Sequence, residues 1–188
     1  MGKVGTERIS SVMSEPRSMR RLCGAAPLFE ALFLGVFCYH ESMVEYDKDL
    51  YFVAVKLLIR DGNKLLITHD IFGVWDLPGG RIKKDEFKAS LPSVIERKME
   101  EELGSEFKYS VGPPAVFFRV EREEHGLNNQ RVRIFAVGYE ALYEGGEVQL
   151  GKHHDRYEWV DIDTFNPDEY FLDGWLEGVQ EYLATQAT

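Results

Sequence analysis

Apolar and polar positions change their spacing along the chain in a way that separates strands from helices. Tyr51-Phe-Val-Ala-Val-Lys-Leu-Leu-Ile59 is an almost unbroken apolar run of strand length, and it ends at Asp61-Gly62. Lys64-Leu-Leu-Ile-Thr68 follows at once, so the two runs predict a hairpin closed at the Asp-Gly turn. Val116–Val120 and Val132–Leu142 predict two further strands around the polar stretch Glu121–Gln130, and Tyr157–Asp161 a short one. Over 91–103 the period becomes helical, with Leu91, Val94 and Ile95 on one face. Ser90 is a suitable N-cap, Pro92 fits the first turn and Gly104 suits the residue that ends the helix. A second amphipathic helix is predicted over 173–183. Between strand and helix, Trp75–Gly80 contains Pro78, Gly79 and Gly80 and reads as a loop. There is no internal repeat. Strands outnumbering two helices place the chain in the α+β or mixed α/β class.

The 91–103 helix carries the chemistry. Its inward stripe of Leu91, Val94 and Ile95 continues onto Lys98, Glu101 and Glu102, while Glu96 and Glu100 fall on the opposite side. Carboxylates on an inward face are costly unless they are paired or bind metal. A helix end that simply emerges into solvent gives the same pattern. The Gly79-Gly80 loop and Arg97 favour a site instead.

Together these residues read Gly80-x5-Glu86-x10-Arg97-Lys98-Met99-x-Glu101-Glu102-x-Gly104. This resembles the Nudix box, whose family pattern is G-x5-E-x7-R-E-U-x-E-E-x-G-U, with U aliphatic. The resemblance implies an α/β/α sandwich with a mixed sheet over roughly 48–187. It implies a hydrolase that uses Mg²⁺ or Mn²⁺ to cleave the pyrophosphate linkage of a small nucleotide. A metal neutralises phosphate oxygens and lowers the pKa of a bound water. By the same resemblance, Glu101 and Glu102 match the metal-binding pair and Arg97 the arginine that orients a box glutamate. Gly80, preceded by Gly79, matches the first glycine, and Glu86 the acid tying the loop to the helix. Asp155 lies near where the family often adds a distal acid, which makes Glu101, Glu102 and Asp155 the expected metal set.

Three positions depart from the pattern. The spacer between Glu86 and Arg97 is three residues longer, most simply placed at Phe87–Ser90. Ser105 stands at the last aliphatic position. Lys98 replaces a glutamate, one turn before Glu101 and Glu102. Its ammonium either pairs with those carboxylates and competes with Mg²⁺, or contacts substrate phosphate as a point charge. The leading expectation is a slow hydrolase of a nucleoside diphosphate linked to another group, with ADP-ribose-like and triphosphate substrates both open. A Nudix-fold nucleotide-binding protein without turnover is the alternative, and an interaction module built on residues 1–42 a remoter one. Among weaker candidates, Arg119 is taken as a substrate contact. Arg131 and Arg133 are phosphate contacts or solvent-facing strand residues. His153-His154 reads as a solvated loop, and Phe118 as core or a base-stacking ring.

Composition narrows the partners. With 44% hydrophobic and 29% charged residues the chain is an ordinary globular one, long enough for one well-cored domain. A net charge of −10 argues against a long nucleic acid, though not against a small phosphorylated ligand bridged by a cation. Cys23 and Cys38 both precede Met43, so neither a disulfide framework nor a cysteine metal site is expected in the body. Residues 1–42 read as a poorly ordered extension, or as upstream translation, before a domain over 43–188; an Arg/Ser-rich transit peptide is the other reading. The apolar run Ala25–Tyr39, broken by Pro27 and Glu30, is too short to span a bilayer. A cytoplasmic protein with no membrane contact is expected, and a homodimer is left open.

Overall fold

A computed structural model describes residues 48–124 and 130–186. The strands are β1 (Phe52–Asp61), β2 (Lys64–Asp70), β3 (Trp75–Asp76), β4 (Gly79–Arg81), β5 (Lys108–Glu124), β6 (Gln130–Gly145) and β7 (His154–Asp161). The helices are α1 (Leu91–Leu103) and α2 (Asp173–Gln186), with short 3-10 turns at Lys84–Glu86 and Pro167–Glu169. The expected 1–42 extension and the boundary at Met43 lie outside the described residues.

All seven strands form one mixed sheet, in the order β3-β2-β1-β6-β5, with β4 beside β1 and β7 beside β2. β1 is its centre. It runs parallel to β6, from Phe52 opposite Ile134 to Arg60 opposite Leu142. It pairs antiparallel with β2 near Arg60 and with β4 near Ala54.

A central strand is buried on both faces, which is why its sequence is continuously apolar rather than alternating. Ala54 and Leu58 enter one core with Val179, Trp175 and Tyr182 of α2. Val55, Leu57 and Ile59 enter the other with Val94, Ile95, Met99 and Leu103 of α1. Each of these larger side chains contributes about 1.5–3 kcal/mol by leaving water, so the two cores fix a helix on each face. The result is the α/β/α sandwich expected from the sequence.

Three local readings change. The Trp75–Gly80 loop contains β3 and β4, both too short to give a period. β5 starts at Lys108, upstream of the expected Val116, because register shifts beside Pro114 let an edge strand carry Gly112, Pro113 and Pro114. Within α1, Leu91 and Glu101 are exposed, and the buried stripe is Val94, Ile95, Met99, Glu102 and Leu103. No helix among the described residues is long and apolar enough to cross a membrane.

Candidate active site at the end of the first helix

α1 is held at both ends by local sequence. Ser90 caps its start by accepting from the Ser93 N–H at 3.3 Å, with Pro92 in the first turn. Its last carbonyls would be unpaired, but the 146–153 loop returns to them. Gln149 donates to the Leu103 carbonyl at 2.8 Å and Gly151 to the Glu102 carbonyl at 3.1 Å. Gly104 ends the helix at φ +89°. The C-terminal turn, which bears both glutamates, is therefore a fixed element.

The longer spacer leaves that turn intact. Arg97 still reaches across to Glu86, with Nη2 donating to Oε2 at 2.8 Å and Nε donating to Oε1. Glu86 also accepts from the Lys83 N–H at 2.7 Å. The Arg97 guanidinium and the Lys83 N–H hold its carboxyl below the usual range. The four residues between Glu86 and Leu91 absorb the insertion outside the helix.

Glu101 and Glu102 are adjacent but occupy opposite environments. Glu101 is exposed and accepts from Lys83 at 3.1 Å and from Arg97 at 2.9 Å. Burial pushes its carboxyl up, but those hydrogen bonds and the charges of Lys98 and Arg97 outweigh it and bring it to about 2. Glu102 is buried under the Gly79-Gly80 loop, and its Oε2 accepts from the Gly79 N–H at 2.9 Å. Burial pushes the Glu102 carboxyl up, against the weaker pull of Lys56, the Gly79 N–H, His154 and Lys98.

Lys98 lies between the pair, its Nζ 3.4 Å from Glu101 Oε2 and 3.7 Å from Glu102 Oε1. Gly80 makes room for it: a Cβ at 80 would meet Lys98 Cε at 2.8 Å and Nζ at 2.9 Å. Across the loop, Lys56 of β1 is buried and donates to Asp76 Oδ2 at 2.7 Å, to the Leu77 carbonyl at 2.9 Å and to the Gly79 carbonyl at 3.3 Å.

These groups border a cleft of about 330 Å³. Lys56, Arg81, Lys98 and Arg122 line it against Asp70, Asp76 and Glu124, with Trp175 as an apolar wall. Arg81 and Arg122 share one Glu124 oxygen, at 2.7 Å and 3.3 Å. Another hollow, of about 440 Å³, lies behind α1 beside Glu96, Glu100 and Glu144, and holds none of the box residues facing the loop.

Other expected residues lie elsewhere. Arg119 does not line the cleft. It sits on β5 opposite Phe135 and borders a separate hollow with Glu121 and Glu177, whereas Arg122 borders both that hollow and the cleft. Asp155 is bound to His69 Nδ1 at 2.5 Å and stands on a half-exposed side of β7. Among the described residues no three His, Cys, Asp or Glu side chains converge as a metal-ligand group, so the Glu101–Glu102–Asp155 set is not assembled. Arg131 and Arg133 pair with Glu121 at the surface. Phe118 is core, edge-on to Trp175.

His154 corrects the solvated-loop reading. Its side chain is 9% exposed, its Nε2 lies 4.0 Å from Glu102 Oε2, and its Nδ1 has no hydrogen-bond partner among the described residues. Sequence reasoning also missed Lys56, Arg81, Arg122 and Glu124. Only Lys56 left a signal, as the one charge in the middle of an apolar strand.

The donor set fits one hard cation at most. The Lys98 ammonium occupies a position that both carboxylates face, and so marks a single cation position between Glu101 and Glu102. Mg²⁺ takes one or two carboxylates and keeps waters, which suits such a pair.

The NUDIX domain family model matches residues 50–176. Among solved structures, an ADP-ribose pyrophosphatase from Streptococcus suis 89-1591 is similar at a TM-score of 0.53 and 18% identity, over 74% of this chain and 94% of that one. The MutT protein of Methanosarcina mazei Go1 is similar at 0.56 and 23%, over 73% and 94%. A UDP-X diphosphatase is similar at 0.54 and 17%, over 75% and 66%. No curated protein matches the chain.

Proposed function

The chain belongs to the NUDIX domain family of pyrophosphohydrolases, and we propose that it hydrolyses the pyrophosphate linkage of a nucleoside diphosphate carrying a further group. Water adds across the P–O–P bridge, giving a nucleoside monophosphate and a phosphorylated remainder. The observation that carries this reading is Glu102, buried behind the Gly79-Gly80 loop and bonded to the Gly79 N–H, with Lys98 of the cleft wall beside it. The Glu86–Arg97 pair holds the exposed Glu101 close by. The names of structural neighbours, an ADP-ribose pyrophosphatase, a UDP-X diphosphatase and a dihydroneopterin triphosphate pyrophosphohydrolase, support a pyrophosphate linkage as the bond cleaved.

With the Lys98 ammonium swung out of the position between them, Glu101 and Glu102 would hold a divalent cation, Mg²⁺ or Mn²⁺, which would supply charge neutralisation and a more acidic bound water. The protein's own groups do the rest. The Gly79-Gly80 backbone closes over Glu102 and limits water around it. Lys56 and Asp76 keep that loop in place. Arg81, Lys98 and Arg122 present positive charge where phosphate oxygens would lie, and charge fixed before reaction costs no reorganisation during it. Residues 43–188 are the working unit of this proposal.

Release of nucleoside monophosphate from ADP-ribose, UDP-sugars and nucleoside triphosphates, each with Mg²⁺ or with EDTA, tests it. Cation-dependent cleavage of a diphosphate substrate is expected, with Glu102→Gln lowering turnover by about 10²-fold. Absence of cleavage in every combination, in Lys98→Glu as well as the wild type, would overturn the hydrolase reading and leave the second one in the lead: a nucleotide-binding protein in which Lys98 has taken the cation's place.

A further inference from the structure

Two lysines face the cleft, and their hydrogen-bonding states differ. An ammonium has three N–H donors. Lys56 uses all three, on Asp76 and on the Leu77 and Gly79 carbonyls. Lys98 makes ion pairs at 3.4 and 3.7 Å but no hydrogen bond among the described residues. Three of the four carboxylate oxygens beside it already accept a hydrogen bond. Glu101 accepts from Lys83 and Arg97, and Glu102 Oε2 from Gly79. So Lys98 brings a point charge and undirected donors to the wall of a cavity that also holds Arg81 and Arg122.

We propose that Lys98 is a built-in cation that lets this cleft hold the diphosphate of a nucleoside diphosphate with no metal ion present, so that binding and turnover differ in their need for a divalent cation. The proposal rests on the reading of the cleft as a nucleotide site. With a carboxylate at position 98, three acids would surround the phosphates and an ion would have to bridge every contact. With a lysine there, the contact is direct. The space beside the lysine shows that it is accommodated rather than forced in. Gly80 leaves the space its Cε and Nζ fill, where a Cβ would lie within 3 Å of both. Arg81 and Arg122, which share the single Glu124 carboxylate, line the same cleft and add positive charge beside the lysine.

The test is calorimetric binding of α,β-methylene-ADP, whose P–C–P bridge cannot be hydrolysed, to the full chain in EDTA and in Mg²⁺. The wild type is expected to bind in EDTA with a Kd less than about tenfold weaker than in Mg²⁺, a difference of less than about 1.4 kcal/mol. That affinity should fall as salt is raised, because the contact is ionic. Lys98→Met should lose about tenfold or more in EDTA while keeping its melting temperature. Loss of wild-type binding in EDTA by about tenfold or more, or equal binding by Lys98→Met, overturns the proposal. If Lys98→Met does not fold, the wild-type comparison in EDTA and Mg²⁺ decides alone. Cleavage with Mg²⁺ but no binding in EDTA would sink this inference and leave the proposed function standing. Binding in EDTA without cleavage under any condition would do the reverse.

Discussion

The β1 wall of the cleft and its α1 wall are both built around a lysine and a glycine. On the β1 wall, Lys56 is closed in by three hydrogen bonds, and a Cβ on Gly79 would sit 2.2 Å from the Val55 carbonyl oxygen. On the α1 wall, Lys98 has ion pairs only, and a Cβ on Gly80 would meet nothing nearer than the mobile end of that lysine, at 2.8 Å. Adjacent glycines in one loop therefore do different work. Gly79 lets backbone lie on backbone, while Gly80 makes room for a charge. The same residue types make a rigid frame on one side and an adaptable surface on the other, and the hydrogen-bond inventory separates them.

Alanine at each glycine is the severest way to break this contrast. Gly79→Ala faces a backbone oxygen that cannot move away, at φ +131° where a side chain is strained. It is expected to cost about 4 kcal/mol of stability. Gly80→Ala displaces only Lys98 and should cost less than about 1 kcal/mol, yet weaken nucleotide binding. Urea unfolding of both variants checks this; similar losses would mean that the two glycines are equivalent.

The lysines are next in size. Lys56→Met leaves Asp76 and two carbonyls without their donor, and removing one partner of a buried pair costs about 3 kcal/mol. Lys98→Met breaks no hydrogen bond and should cost about 1 kcal/mol or less. A larger loss for Lys98→Met than for Lys56→Met would reverse the assignment of frame and surface.

How far these walls were legible in the sequence follows the same division. The α1 wall was read well because helical period, cap residues and box spacing are local signals. Ser90, Pro92 and Gly104 follow from short stretches of chain, and the pairing of Arg97 with a box glutamate was implied by the resemblance to the Nudix box. Of the β1 wall, the strand over 51–59 and the Gly79-Gly80 loop were read, but not the short strands and charged side chains that complete it. β3 and β4 have two and three residues, too few to show alternation, and they acquire their place only by pairing with β2 and β1. Arg81, Arg122 and Glu124 meet across a sheet, so no spacing in sequence announces them. Arg119 and Asp155 failed to reach the cleft for a related reason. Each lies within three residues of a position that lines it, Arg122 and His154, and where a residue falls along its strand is set by pairing that no short stretch of sequence announces. Lys56 was the missed clue, since a lone charge within a doubly buried strand must have partners.

The smallest effect separates the two glutamates of the α1 wall by the sign of their pH dependence. Glu101 titrates near 2 in the fold, against an ordinary 4.5. A depressed acid stabilises the fold above its unfolded value, and that contribution is lost as pH falls from about 4.5 through about 2. Glu102 is raised by burial, so it favours the fold when protonated, below 4.5, and that contribution is lost as pH rises through its folded value. In EDTA, Glu101→Gln should therefore lower stability more at pH 7 than at pH 3. Solvent screening at this exposed site keeps the difference under about 1 kcal/mol. Glu102→Gln should move the other way, gaining on the wild type between pH 3 and pH 7, because it removes a buried carboxylate while keeping an acceptor for the Gly79 N–H. Urea unfolding at the two pH values reads both slopes. Parallel slopes would mean that Glu102 is as well paired as Glu101, and that the loop does not bury it as deeply as the fold indicates.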